Sequence, residues 1–235
     1  MLLFYAPDIA TNQQLPDTEA HHCLKVLRMK QGDTFRLTDG KGNFYDAEIA
    51  EINPKRCMVN LLKITPQPLL WKGKIEIALA PTKNVDRIEW FVEKATEIGI
   101  DKISFLRCRF SERKEISTER IVKIMISAMK QSGKAQLPVL QTIIGFKDFI
   151  RQDFNGQKFI AHCYEEEKKL LAQAYHKNEN ALILIGPEGD FSEEEVGLAK
   201  DTGFIPISLG NSRLRTETAA LTACQTIHII NMSNP

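Results

Sequence analysis

Over the first third of the chain, apolar and polar positions alternate in short runs. Phe35 to Thr38, Tyr45 to Ile52 and Cys57 to Ile64 carry a two-residue period, which predicts half-buried strands. They are separated by the turn-rich Asp39-Gly40-Lys41-Gly42-Asn43 and by Asn53-Pro54-Lys55, so a small β-barrel is expected. Ahead of it, Asp17 to Met29 reads as a short helix capped by Asp17, with Leu24 and Leu27 facing the barrel. In Thr65-Pro66-Gln67-Pro68 two prolines remove backbone donors and bias the chain to extended forms, which predicts a boundary between a domain over 1–68 and a second over 73–235.

Beyond Lys74 the pattern becomes apolar strands alternating with amphipathic helices. Strands are predicted at Ile75 to Ala80, Ile103 to Arg107, Phe159 to Cys163, Ala181 to Ile185 and Pro206 to Leu209. A helix from Asn84 to Ile98 places Ile88, Phe91, Val92, Ala95 and Ile98 on one face, and Gly99 ends it. Further helices are expected at Thr118 to Lys134, Glu165 to Tyr175, Ser192 to Lys200 and Glu217 to Ile230. This order predicts an α/β unit with a mostly parallel sheet.

Composition narrows the function classes. The chain has 235 residues, 43% hydrophobic and 26% charged, ordinary for a globular protein with a real core. Lys and Arg (31) nearly cancel Asp and Glu (30), leaving a net charge of +1, so neither a basic nucleic-acid coat nor a polybasic membrane anchor is expected. Any RNA contact must use local patches. The five cysteines (Cys23, Cys57, Cys108, Cys163, Cys224) are widely spaced without a C-x-x-C pair, which argues against a disulfide framework and against a metal site. The opening MLLFYAPDIA does not read as a secretory leader, and no apolar run reaches the roughly 20 residues that span a bilayer, so no membrane partner and a cytoplasmic location are expected.

Two strand-to-helix loops carry the candidate chemistry. Ala181–Ile185 empties into Gly186-Pro187-Glu188-Gly189-Asp190-Phe191 and then Ser192-Glu193-Glu194-Glu195, where Ser192 and Glu195 have capping-box spacing. Strand ends of this kind are where open α/β sheets bind ligands. The carboxylates repel a phosphate that a helix N-terminus otherwise attracts, so a nucleoside triphosphate is disfavoured and a neutral or cationic ligand preferred. A capped βα turn without ligand is the plain alternative. The second loop, Asn211-Ser212-Arg213-Leu214-Arg215-Thr216-Glu217, follows Ile207 to Gly210, is basic and hydroxyl-rich, and has Thr216 as the natural N-cap of the last helix.

The GPEG segment after a strand and the Leu209-Gly210-x-x-x-Leu214-Arg215-Thr216-Glu217-Thr218-Ala219 segment resemble the SPOUT superfamily of trefoil-knotted RNA methyltransferases, and among them the small-subunit (16S) ribosomal RNA uridine-N3 methyltransferases. His21-His22-x-x-x-Val26-Leu27-Arg28-Met29, Lys83-x-x-x-Arg87-x-Glu89, Lys94-Ala95-x-Glu97-Ile98-Gly99 and Ser111-Glu112-Arg113 extend the resemblance over nearly the whole chain. It implies an N-terminal PUA-like β-barrel for RNA, a C-terminal knotted SPOUT-type α/β domain, S-adenosyl-L-methionine as cofactor, 16S rRNA or the small ribosomal subunit as partner, and a homodimer. The chain departs from the usual family pattern at Asp190, where a second Gly is common, and at Ser212, Arg213 and Lys134; it also lacks an early Arg. Asp tolerates a left-handed backbone better than most residues, so the loop is expected to survive.

For the cofactor, the resemblance implies Ile185, Gly186, Pro187, Glu188, Gly189, Leu209, Gly210, Leu214 and Thr216; because phosphate affinity needs cations and the net charge gives no global attraction, RNA contact is expected at Arg28, Lys83, Arg87, Lys94, Arg113 and Lys134. Uridine N3 must lose a proton before it attacks, and negative charge spreads to the flanking carbonyls. Arg215 is the candidate to stabilise that charge, and Glu217 to orient Arg215 or accept the proton; Glu217 also fits a plain first-turn dipole role. His21 and His22 read as structural, and Trp90 as sealing an interface or stacking on a base. A ribose 2′-O-methyltransferase and a non-catalytic RNA-binding ribosome-assembly factor are the alternatives.

Overall fold

The computed structural model describes residues 2–53, 56–69 and 71–233, so Pro54 and Lys55 of the second expected turn lie outside the described residues. Two compact units emerge, Met1–Leu69 with Ile126–Leu137, and Leu70–Met125 with Pro138–Pro235.

The first unit holds β1 (Leu3–Tyr5), α1 (Ile9–Asn12), α2 (Asp17–His21), β2 (Thr34–Thr38), β3 (Asn43–Asn53) and β4 (Arg56–Pro66). The strands form one sheet in the order β1-β2-β3-β4, with β1 parallel to β2 and the others antiparallel. Alternating residues of β2, β3 and β4 (Phe35, Leu37, Tyr45, Ala47, Ile49, Cys57, Val59) join Phe4, Ile9 and Leu15 in its core. The expected helix from Asp17 is shorter. It starts after Pro16, Asp17 makes no cap, and at His22–Val26 the backbone widens to a π-helical turn. That turn leaves Leu27 exposed rather than on the core, while Leu24 packs against it. His22 sits edge-on to Phe4 at 6.0 Å, a packing role. Residues 126–137 join this unit through Thr38, whose hydroxyl donates to the Ala135 carbonyl at 3.0 Å, and through Lys130, 2.6 Å from Glu19.

The second unit follows in the order β5 (Ile75–Leu79), α3 (Val85–Ile98), β6 (Lys102–Arg107), α4 (Thr118–Gln131), β7 (Val139–Gly145), α5 (Phe146–Phe149), β8 (Gln157–Ala161), β9 (Lys169–Leu170), α6 (Leu171–Ala174), β10 (Ala181–Ile185), α7 (Glu193–Asp201), β11 (Ile205–Ser208) and α8 (Thr216–Met232). Helix α4 contributes its residues up to Met125 here and the rest to the first unit. The seven strands form a wholly parallel sheet in the order β7-β6-β5-β10-β8-β11-β9. Both central strands, β5 and β10, are buried at every residue, which is why they read as unbroken apolar runs. Helices α3 and α8 pack on each other, and α8 on β5. Asn84 caps α3 by accepting from the Asp86 amide, and Gly99, at φ 121°, stops it.

Two expectations fail here. The helix over Glu165 to Tyr175 shrinks to α6 preceded by the two-residue β9, and Glu166 instead bonds to His162 and Lys200 while Lys168 bonds to the carbonyls of His162 and Tyr164. The N-cap of α8 is Arg215, without a side-chain bond, and Thr216 is the first helical residue. Among the described residues no helix is long and apolar enough to cross a membrane, and no cluster of three His, Cys, Asp or Glu side chains could hold a metal ion.

Candidate active site

A cavity of about 680 Å³ opens where the adjacent strands β10, β8 and β11 end, lined by Ile185, Ala161 and Ile207 and by the loops that leave them. This is the carboxyl edge of a parallel sheet, where chain reversals expose main-chain groups to a ligand. Ile185, Gly186, Pro187, Glu188, Leu209, Gly210, Leu214, Arg215, Thr216 and Glu217 all line it, so ten of the eleven residues expected for cofactor and catalysis are brought together. Gly189 is not part of the lining. Its absent side chain is accommodated by Phe110, whose Cβ would stand 3.1 Å from a Cβ added at Gly189.

Three bonds fix the walls. The Thr216 hydroxyl, buried, donates to the Gly186 carbonyl at 3.0 Å and ties the loop after β10 to the start of α8. Asp190 adopts φ 66°, the left-handed conformation its side chain was expected to tolerate. Its Oδ1 accepts from the Phe191 amide at 2.8 Å and its Oδ2 from the Cys163 amide at 2.7 Å, joining the loops after β10 and β8. At Gly186 a Cβ would come to 3.0 Å from the Phe191 amide nitrogen, so any side chain there forces the loop to give.

Carboxylates occupy both helix starts near the cavity. Ser192 and Glu195 form the expected capping box: the Ser192 amide donates to Glu195 Oε2 at 2.9 Å and the Glu195 amide to Ser192 Oγ at 3.3 Å. The other Glu195 oxygen accepts from the Arg109 amide at 2.8 Å. Glu188 Oε1 accepts from the Lys83 amide at 3.0 Å. Glu217, in the first turn of α8, is buried, with Arg87 Nε 3.8 Å from its Oε1, and its Oε2 has no hydrogen-bond partner among the described residues. A buried carboxylate oxygen without a donor is costly, and a ligand that supplies one relieves that cost.

The loop after β8 is a third wall that the sequence reading missed. His162, Cys163 and Lys168 line the cavity. The His162 side chain is 1% exposed; its Nε2 is 2.8 Å from Glu166 Oε1, and Glu166 Oε2 is 2.9 Å from Lys200 Nζ. Burial, aided by the nearby Lys168 ammonium, holds the imidazole below its ordinary pKa, so near neutral pH it is uncharged. Donation from Nε2 to the carboxylate then leaves Nδ1 a bare acceptor. Lys168 closes the loop by donating to the carbonyls of His162 at 2.8 Å and Tyr164 at 2.6 Å. The available signal was a His-Cys pair just past an apolar strand, hidden because that strand was read through Cys163 and ends at Ala161.

The cations expected to touch RNA are dispersed. Arg87 lines the cavity, and Ser212 and Arg213 do as well. Lys83 Nζ is 3.0 Å from Glu112, and Arg113 donates to the carbonyls of Thr82 at 3.0 Å and Lys83 at 2.5 Å. Lys94 lies 2.7 Å from Glu93 and 2.8 Å from Glu97, and bonding to both carboxylates raises its pKa. Arg28 is exposed at φ 57° and Lys134 is half-buried, both in the first unit.

Known proteins match this arrangement. A model of an RNA methyltransferase domain family matches residues 70–228, and one of an RNA methyltransferase PUA domain matches residues 15–62. The ribosomal RNA small subunit methyltransferase E of Rickettsia conorii is 30% identical over 216 residues, 91% of this chain and 88% of the relative. A crystal structure of a Porphyromonas gingivalis protein described as a probable rRNA-methyltransferase superposes with a TM-score of 0.93 at 47% identity, over 98% of each chain. The ribosomal RNA small subunit methyltransferase E of Neisseria gonorrhoeae, crystallised with S-adenosyl methionine, superposes with a TM-score of 0.82 at 27% identity over 97% of each chain.

Proposed function

Because the chain belongs to the ribosomal RNA small subunit methyltransferase E family, we propose that it methylates N3 of a specific uridine in 16S ribosomal RNA with S-adenosylmethionine as donor. The observation that carries this reading is the cavity itself, walled by main-chain-rich loops and lined by Glu188, Asp190 and Glu217 together with Arg87, Lys168, Arg213 and Arg215. S-adenosylmethionine, when bound, supplies a methyl group on a positively charged sulfur. Gly186, Gly210 and Leu214 offer close main-chain approach to its adenosine, and Glu188, Asp190 and Glu217 complement the positive charge.

The chain's own residues then have distinct tasks. Arg215, exposed at the cavity and fixed through its backbone as the cap of α8, stabilises the negative charge that develops on the uracil carbonyls. Glu217, buried with one oxygen unpartnered and Arg87 near the other, accepts the N3 proton or orients an arginine. Arg28, Lys83 and Lys134 contribute phosphate contacts; Lys94 and Arg113 chiefly brace the fold. The same reading includes a trefoil knot in the C-terminal domain, a homodimer and a cytoplasmic setting, of which the dimer is checked by sedimentation equilibrium.

The test is calorimetry with S-adenosylmethionine followed by mass mapping of 16S RNA incubated with the protein. A methylated base fragment supports the reading, a methylated ribose replaces it with 2′-O transfer, and no cofactor binding by the folded protein leaves an assembly factor. Arg215→Ala is expected to slow methyl transfer by roughly 100-fold with the cofactor dissociation constant unchanged; an unchanged rate removes Arg215 from the reaction.

A further inference from the structure

Phe110 stands outside every role assigned above. Phe110 is 46% exposed, yet the turn that presents it is pinned. The Cys108 amide donates to Ser111 Oγ at 2.9 Å, the Ser111 amide to the Cys108 carbonyl at 3.2 Å, and the Arg109 amide to Glu195 in the capping box of α7. The base of the side chain rests on Gly189, whose neighbours Glu188 and Asp190 face the cavity, so one thickness of backbone separates ring from cavity. The Arg109 guanidinium lies 5.8 Å from the ring centroid.

Arg109 supplies the cation beside the ring. Arg107, Arg113 and Lys114 stand within four residues of Phe110 in the sequence, as does Glu112, and Arg113 is turned to the carbonyls of Thr82 and Lys83. A rigid aromatic face with a guanidinium beside it suits a stacked base and its phosphate better than a protein interface, whose centre is depleted of charge. Arg109 also lies 3.7 Å from Glu194, an exposed pair that opens at little cost.

We propose that Phe110, with Arg109 beside it, is a stacking platform for an unpaired RNA base flanking the target nucleotide. The inference rests on the reading of the cavity as an RNA-methylating site, and it adds a positioning residue to that site. Binding tests it separately from catalysis. In Phe110→Trp, a single-stranded oligouridylate is expected to quench the indole emission. Phe110→Leu keeps an apolar side chain on Gly189 but has no π face, and is expected to weaken oligouridylate binding and raise KM for RNA about tenfold, with kcat and cofactor affinity unchanged and rescue by Phe110→Tyr. Quenching with that loss upholds the platform even if the transferred methyl is found on another atom. An unquenched indole, or a Leu variant that binds oligouridylate like the unsubstituted protein, overturns it whatever the methylation assay gives.

Discussion

Thr216→Val retains the shape of a buried side chain and deletes one donor. Thr216 Oγ1 donates to the Gly186 carbonyl at 3.0 Å, the one side-chain bond between the two loops that define the cavity among the described residues. Valine leaves that carbonyl without its donor where water enters poorly, at a cost of about 1–3 kcal/mol. If all of it falls on the closed arrangement of the loops, cofactor affinity drops roughly 5- to 150-fold at one decade per 1.4 kcal/mol. The assays are urea unfolding and calorimetry with S-adenosylmethionine, with far-UV circular dichroism as the check on the fold. Thr216→Ser restores the hydroxyl and is expected to recover most of the affinity. A valine variant indistinguishable from the original in both assays refutes the argument that this bond joins the two walls.

Gly186→Ala sets a Cβ within 3.0 Å of the Phe191 backbone nitrogen, so overpacking of about 1–3 kcal/mol is expected in thermal unfolding, with weaker cofactor binding. Burial keeps the folded His162 below its ordinary value of 6.5, so the unfolded chain binds more protons there; this part of the stability is intact above pH 6.5 and is lost as pH falls from 6.5 through the folded value. Urea titrations of His162→Gln at a series of pH values should show a shallower decline in that window, and an unaltered decline assigns the dependence elsewhere. Of the five cysteines Cys163 is the exposed one, while burial pushes Cys23 up to about 11 and Cys224 up to about 12. A thiol reagent should therefore label one site in the native protein, faster as pH rises because burial and Asp190 also raise the Cys163 thiol, and more slowly with S-adenosylmethionine present; native labelling of several sites would contradict the burial pattern.

What was legible in the chain follows from where the local pattern and the tertiary environment agree. Ala181–Ile185 is read residue for residue because a central parallel strand needs five consecutive apolar side chains. Helix α3 is read from Asn84 to Gly99 because its cap, its face and its stop are all local. Glu165 to Lys168 has helical composition, but Glu166 spends its carboxylate on His162 and Lys200, and Lys168 its ammonium on two carbonyls. Strand β1 is three residues long and takes its reason from β2, so no local period announces it. Strand β7, with no fully buried residue, likewise carries a weak signal at the sheet edge. In the site, the two loops were visible because glycine and capping residues mark them, whereas the wall from His162 to Lys168 is held by side-chain bonds, some within six residues and others to Asp190 and Lys200, that no residue pattern announces.

The distribution of charge explains how a fold edge that commonly takes phosphates comes to favour a cation. Helix α7 begins with two of its free amides satisfied, because Ser192 and Glu195 serve each other, and the remaining Glu195 oxygen takes the Arg109 amide. Helix α8 has no side-chain cap, but its positive end is met by the buried Glu217. A triphosphate entering here would meet Glu188, Asp190 and Glu217 as well as Arg87, Arg213 and Arg215 in a partly desolvated space, where charges act on one another more strongly than in water. The same three carboxylates attract a sulfonium. Arg107, Arg109, Arg113 and Lys114 stand on the segment 107–114, none of them lining the cavity, with Glu112 among them. With a net charge of only +1, the chain has no overall field to sort its ligands, so local placement must do it: Glu188, Asp190 and Glu217 line the cavity beside Arg87, Lys168, Arg213 and Arg215, which sets acids for a sulfonium next to cations for the charge that develops on a base.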